Sequence, residues 1–183
     1  MKRFLIAALL FASAGAGHEL QDNRATLVLR DKTHISVTFY LAYSAVLHQT
    51  LAPQRPLAEF LAVYSSMRPD DLNRELMKAQ DKLRAGIKIY LPPGGEAAIS
   101  NWIWPDAKQV QATLQKCIMQ ALTDPAGHFH EDPLEIHADA VSTGEIVSVK
   151  VLFPAEFQKV LVVAYKPNQT WVEPKTVSSV IKF

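Results

Sequence analysis

Apolar residues recur at every second position over Arg24 to Arg30 (RATLVLR) and His34 to Tyr43 (HISVTFYLAY). Ala25, Leu27 and Leu29 share one face of the first run, and Ile35, Val37, Phe39 and Leu41 one face of the second. A period of two marks strands with one buried face, so the two runs, joined by Asp31-Lys32-Thr33, predict an antiparallel hairpin. Ser44 to Arg55 shows no clear period and reads as irregular, closed off by Pro53 and Pro56. From there the spacing turns helical. Pro56 suits a first helical turn, and Leu57, Phe60, Leu61 and Tyr64 follow on one side. A second helix is predicted after Pro69: Leu72, Leu76, Ala79 and Leu83 form its stripe, Asp70 and Asp71 favour its N-terminus, and Gly86 stops it.

Ile87 to Leu91 alternates again, and Pro92-Pro93-Gly94-Gly95 turns the chain into Glu96 to Trp102, a second expected hairpin. After Pro105-Asp106, the residues Ala107, Val110, Leu114, Cys117, Ile118 and Ala121 give a third helix its apolar side. Leu134 to Val141 is an expected strand. The stretch Glu145 to Tyr165, EIVSVKVLFPAEFQKVLVVAY, most plainly has to be inside, and the rest of the chain is expected to be built around it. Its runs Ile146 to Phe153 and Val160 to Tyr165 flank a short polar connection, Pro154 to Lys159, and predict a hairpin or tight crossover. Because the second run is apolar on both faces, it is expected in the middle of a sheet, covered on both sides. Final strands are expected around Thr170 to Val172 and Val177 to Phe183. The resulting fold class is α+β: one domain, mainly an antiparallel sheet or sandwich, with about three inserted helices.

The beginning of the chain changes this picture. Met1-Lys2-Arg3, an apolar run from Phe4 to Ala12, and Ser13-Ala14-Gly15-Ala16-Gly17 have the order of a secretory signal peptide, expected over residues 1–17. The domain then covers residues 18–183, in the periplasm or secreted. Losing the signal takes Lys+Arg from 19 to 17 against 18 Asp+Glu, which leaves a nearly neutral chain and argues against a nucleic-acid-binding face. The single cysteine, Cys117, excludes a disulfide within the chain, and none stands after the signal to carry a lipid. No later segment approaches the roughly 20 apolar residues of a membrane-spanning helix.

The densest group of possible metal ligands is Gly127 to Asp132, GHFHED. His128 and His130 flank Phe129, Glu131 and Asp132 follow, and His137 stands on the next strand with Glu135 and Asp139 on its polar face. Imidazoles two residues apart point to one side of an extended segment, and together with carboxylates they suit copper(II), nickel(II) or zinc(II). His18 is a further candidate: cleavage after Gly17 frees its α-amine beside its imidazole, a pair that chelates copper(II). The spacing matches neither HExxH nor paired CxxC motifs. No GxSxG, P-loop or dinucleotide glycine motif is present, and Cys117 falls on a core face, where an inert buried thiol is expected. Trp102, Trp104 and Trp171 either line a groove or belong to the core.

One resemblance bears on these expectations. The stretch HELQDNRATLVLRDKTHISVTFYL, followed by PDDLNRELMKAQDKLRAGIKIYL, resembles the extracytoplasmic N-terminal domain of HupE/UreJ-type membrane proteins, accessory proteins linked to hydrogenase and urease. It covers about the first half of the chain after the signal. Those proteins continue into several membrane-spanning helices, so transport does not carry over. The resemblance implies a periplasmic β-rich module working beside a metal-handling membrane partner. The expected function is a non-enzymatic binding or accessory protein associated with a transition metal. A structural or protein-interaction module without metal is the alternative, and an enzyme ranks third.

Overall fold

The computed structural model describes residues 23–123 and 131–168. Its centre is the first hairpin: β1 (Arg24–Leu29) and β2 (His34–Leu41) run antiparallel with Leu27 opposite Val37 and Ala25 opposite Phe39. β5 (Leu134–Val141) adds to the far side of β2, β4 (Ala98–Ile103) to β5, and β7 (Leu161–Tyr165) to β1, giving the order β4-β5-β2-β1-β7. Among the described residues, only the β1–β7 pairing is parallel in this sheet. A second, two-stranded sheet pairs β3 (Lys88–Tyr90) with β6 (Lys150–Leu152).

Alternation divides the large sheet into two faces. Ala25, Leu27, Ile35, Val37, Phe39, Leu41, Ile136, Ala138 and Ala140 turn inward and are buried. Against them pack α2 (Leu57–Ser65), α3 (Pro69–Gly86) and α4 (Ala107–Thr123), whose Phe60, Leu61, Leu72, Leu76, Leu83 and Leu114 join the same core. α3 has the expected anatomy, with proline in its first turn, Asp70 and Asp71 beside it, and Leu72, Leu76, Ala79 and Leu83 buried. Its last residue, Gly86, is set by contact. A Cβ there would stand 2.8 Å from the Pro154 Cβ, so only glycine lets the 3-10 turn Ala155–Phe157 come so near. The amide of Gln111 on α4 donates to the carbonyls of Ser65 and Met67, at 3.2 and 2.8 Å, satisfying the C-terminal end of α2.

The mixed α+β class and the first hairpin agree with the pattern, and four differences stand out. Residues expected to be irregular form a helix, α1 (Tyr43–Leu51), whose Tyr43, Val46 and Leu47 are buried; four helices are thus described rather than about three. The Glu145–Tyr165 stretch is not the centre of the fold. Its two runs do not pair with each other, because β6 pairs with β3 and β7 with β1. Among the described residues β7 is the outermost strand of the sheet, with every residue exposed, where a strand covered on both sides was expected. The turn at 92–95 does fold the chain back, with a bridge between Tyr90 and Glu96, but β4 then leaves for the larger sheet. Residues 1–17, His18 and the strands expected at 170–172 and 177–183 lie outside the described residues. No helix among the described residues is long and apolar enough to cross a membrane.

Candidate functional site

Of the candidate metal ligands, His18, His128 and His130 lie outside the described residues. Glu131 is engaged as a helix cap. Its carboxylate accepts the Ser44 backbone N–H at 2.8 Å and also accepts from the Ser44 hydroxyl, at the first turn of α1. First-turn N–H groups have no partner within a helix, and the positive end of the helix dipole favours an anion there. Asp132 pairs with Lys116 of α4, whose ammonium holds the Asp132 carboxyl below the usual carboxylate range. His137 sits on the outer face of β5, its Nδ1 3.2 Å from Thr38 Oγ1 and its Nε2 3.1 Å from Glu135 Oε2. Glu131 thus turns toward α1, while His137 lies on the sheet face away from the helices. Among the described residues, no three His, Cys, Asp or Glu side chains come together as a metal site.

The same outer face carries a second histidine–carboxylate pair that the sequence reading did not single out. His34 Nε2 lies 2.9 Å from Asp139 Oδ1, and Asn101 Nδ2 donates to Asp139 Oδ2 at 3.0 Å. Asn101 takes a left-handed conformation, φ 52°, at the irregularity between Ser100 and Ile103. The Asn101 hydrogen bond, followed by that of His34, holds the Asp139 carboxyl below its ordinary range. Arg30 Nε donates to Ser36 Oγ at 3.1 Å, and the Arg24 guanidinium lies 4.2 Å from the centre of the Tyr40 ring. These groups answer one another across strands, a ladder that braces the sheet. The signal was present in the alternation, since His34, Ser36 and Thr38 share the polar face of β2.

A different kind of site lies on the inner face, at the end of the sheet near the β1–β2 turn. There a groove of about 350 Å³ opens over Leu27, Leu29 and Ile35. Ile146 and Val149 form one wall, and Ala164 of β7 contributes to the other side. The wall segment is tied to the turn by backbone hydrogen bonds, Ser142 N–H to Thr33 O at 2.9 Å and Ile146 N–H to Lys32 O at 2.6 Å. Ser148, Tyr165 and Lys166 supply the polar groups of the lining. Val147, also in the lining, is 88% exposed, and Tyr165 is 52% exposed, so apolar surface continues outward from the groove.

No family model, curated protein or solved structure matches this chain. Its chemistry is therefore read from its own residues. The groove brings the β1–β2 hairpin against the 146–149 segment and the end of β7, both remote from it in sequence, which is why periodicity within any one run does not reveal it. The polar groups of its lining are one hydroxyl, one phenol and one ammonium, with no imidazole or carboxylate.

The remaining candidates belong to the packing. Cys117 is buried, and burial, reinforced by the negative charge of Glu131, pushes its thiol up to about 11. Trp102 stacks between Phe39, at 6.4 Å, and Trp104, at 5.5 Å, while the Arg84 guanidinium lies over both indoles. The pair closes the border of the core. Trp171 lies outside the described residues.

Proposed function

We propose that this is a non-enzymatic, exported binding protein whose ligand lies in the groove between β7 and the 146–149 segment. One observation carries the reading: an opening of about 350 Å³ lined mainly by apolar side chains of the β1–β2 hairpin, the 146–149 segment and β7. That volume lies within the range of small-molecule sites, and an apolar floor with a few polar groups at its border is their usual composition. Apolar surface entering such a groove leaves water at a gain of roughly 25 cal/mol per Å².

The transition-metal reading rests on His18, His128 and His130, together with His137, which Thr38 and Glu135 already engage. Metal is accordingly not the ligand proposed for the groove. Partnership with a metal-handling membrane protein rests on the sequence resemblance alone. Export follows from the signal-like residues 1–17, and the intact mass of protein recovered from outside the cytoplasm tests it: a retained Met1 refutes it.

The groove is tested with the neutral apolar dye N-phenyl-1-naphthylamine. Saturable fluorescence enhancement is expected with the parent protein and strong loss of it with Ala164→Trp, whose indole fills the groove from an exposed edge position. Absence of saturable binding by the parent, or unchanged binding by a folded Ala164→Trp protein, overturns the reading.

A further inference from the structure

We propose that the groove takes a free single-chain amphiphile with an anionic head, a fatty-acid-like carboxylate, with its chain over Leu27, Leu29 and Ile35 and its head at Lys166. This rests on the groove being the ligand site and adds the class of ligand. The apolar floor and the wall residues Ile146 and Val149 suit a hydrocarbon chain. The one charged side chain in its lining is a cation. Lys166 lines the groove and makes no ion pair among the described residues, and neither does Lys150, next to the wall residue Val149. Lys32, at the adjoining turn, is matched by Glu145 at 3.9 Å, so it adds no net charge.

An ammonium with no ion pair among the described residues, at the border of an apolar groove, favours a ligand with a negative end, because the charge meets its partner at the point where the chain enters the protein. The Ser148 hydroxyl and the Tyr165 phenol, both in the lining, are further donors for carboxylate oxygens. Size limits the choice as well. At about 350 Å³ the groove is near the lower end of small-ligand sites, which suits one chain rather than a two-chain phospholipid.

Displacement of N-phenyl-1-naphthylamine by dodecanoate and by dodecanol, on the parent, Lys166→Ala and Lys166→Glu proteins, is the test. Lys166 is exposed, so both variants are expected to melt as the parent does. On the parent, dodecanoate is expected to displace the dye at least ten-fold more tightly than dodecanol. That ratio should fall to near one in Lys166→Ala and below one in Lys166→Glu. Equal displacement by acid and alcohol on the parent, or a preference that survives Lys166→Glu, overturns the assignment of the head group while leaving the groove as an apolar site. Failure of the dye itself to bind the parent removes both. Co-sedimentation with phosphatidylglycerol vesicles, without displacement by monomeric dodecanoate, overturns the proposal in favour of membrane association.

Discussion

The side-chain amide of Asn23 donates to the carbonyl oxygen of Phe157 at 2.8 Å, a contact between residues 134 positions apart. The same side chain accepts the Ala42 N–H at 2.8 Å, and the Asn23 carbonyl accepts the Leu161 N–H at 3.0 Å. One buried residue thus ties the start of β1 to the entrance of α1, the 3-10 turn and β7. Asn23→Ala leaves a buried carbonyl and an N–H without their partner and is expected to cost about 2 to 3 kcal/mol. Asn23→Asp keeps the acceptor and loses the donor, so it should also destabilise. Urea denaturation measures both, and a midpoint like the parent's for Asn23→Ala would show the link to be dispensable.

Glu131 caps α1 from outside the helix, so its removal should be felt as stability. Glu131→Ala is expected to cost about 1 kcal/mol, in the range of lost N-caps, and Glu131→Gln less, since an amide oxygen still accepts from Ser44. The loss should be the same with and without a chelator. A difference that appears only when copper(II), nickel(II) or zinc(II) is added would instead place Glu131 on a metal.

The Cys117 thiol, pushed up to about 11, is expected to stay protonated and unreactive at pH 8 in the native protein. The sign follows from burial, which disfavours the thiolate and raises the pH needed to form it. Alkylation with iodoacetamide, followed by mass, should be slow in buffer and fast in denaturant. Rapid labelling of the folded protein would contradict the buried placement.

Val162→Asp separates the two positions offered for β7. A strand covered on both sides would lose several kcal/mol to an unpaired carboxylate, whereas Val162 is 40% exposed on an edge strand and should lose about 1 kcal/mol or less. Ile136→Asp, at 0% exposure in the middle of the sheet, should show the large loss instead. Thermal melting of the two variants decides the order.

The pattern of apolar positions showed the β1–β2 hairpin, the helices around Leu57 to Tyr64, Leu72 to Leu83 and Val110 to Cys117, and the strand at Leu134 to Val141, because each buries one periodic face. It misplaced β7 for a physical reason: an all-apolar run suits a covered strand and an exposed apolar edge beside a groove equally well, and only the neighbours distinguish them. α1 was missed because Ser44 and His48 interrupt its apolar side. Ser44 meets Glu131, 87 positions away, and His48 Nε2 lies 2.7 Å from the Arg55 carbonyl oxygen. Composition showed the Glu131 and Asp132 carboxylates but not their contacts in the fold, Ser44 at a helix end and Lys116. The groove left no local mark, since its floor, wall and rim come from β1 and β2, residues 146–149 and β7.

The parallel seam between β1 and β7 also sets the order in which the molecule can assemble. β1 and β2 can zip together as soon as their turn forms, but the other edge of β1 stays open until Tyr165 is available, after nearly all the described chain. Closing a strand pair across so long a loop is slow, and an apolar edge left waiting is a template for other chains. Folding yield should therefore fall as protein concentration rises, with the last-arriving strand, rather than the hairpin, as the rate-limiting step.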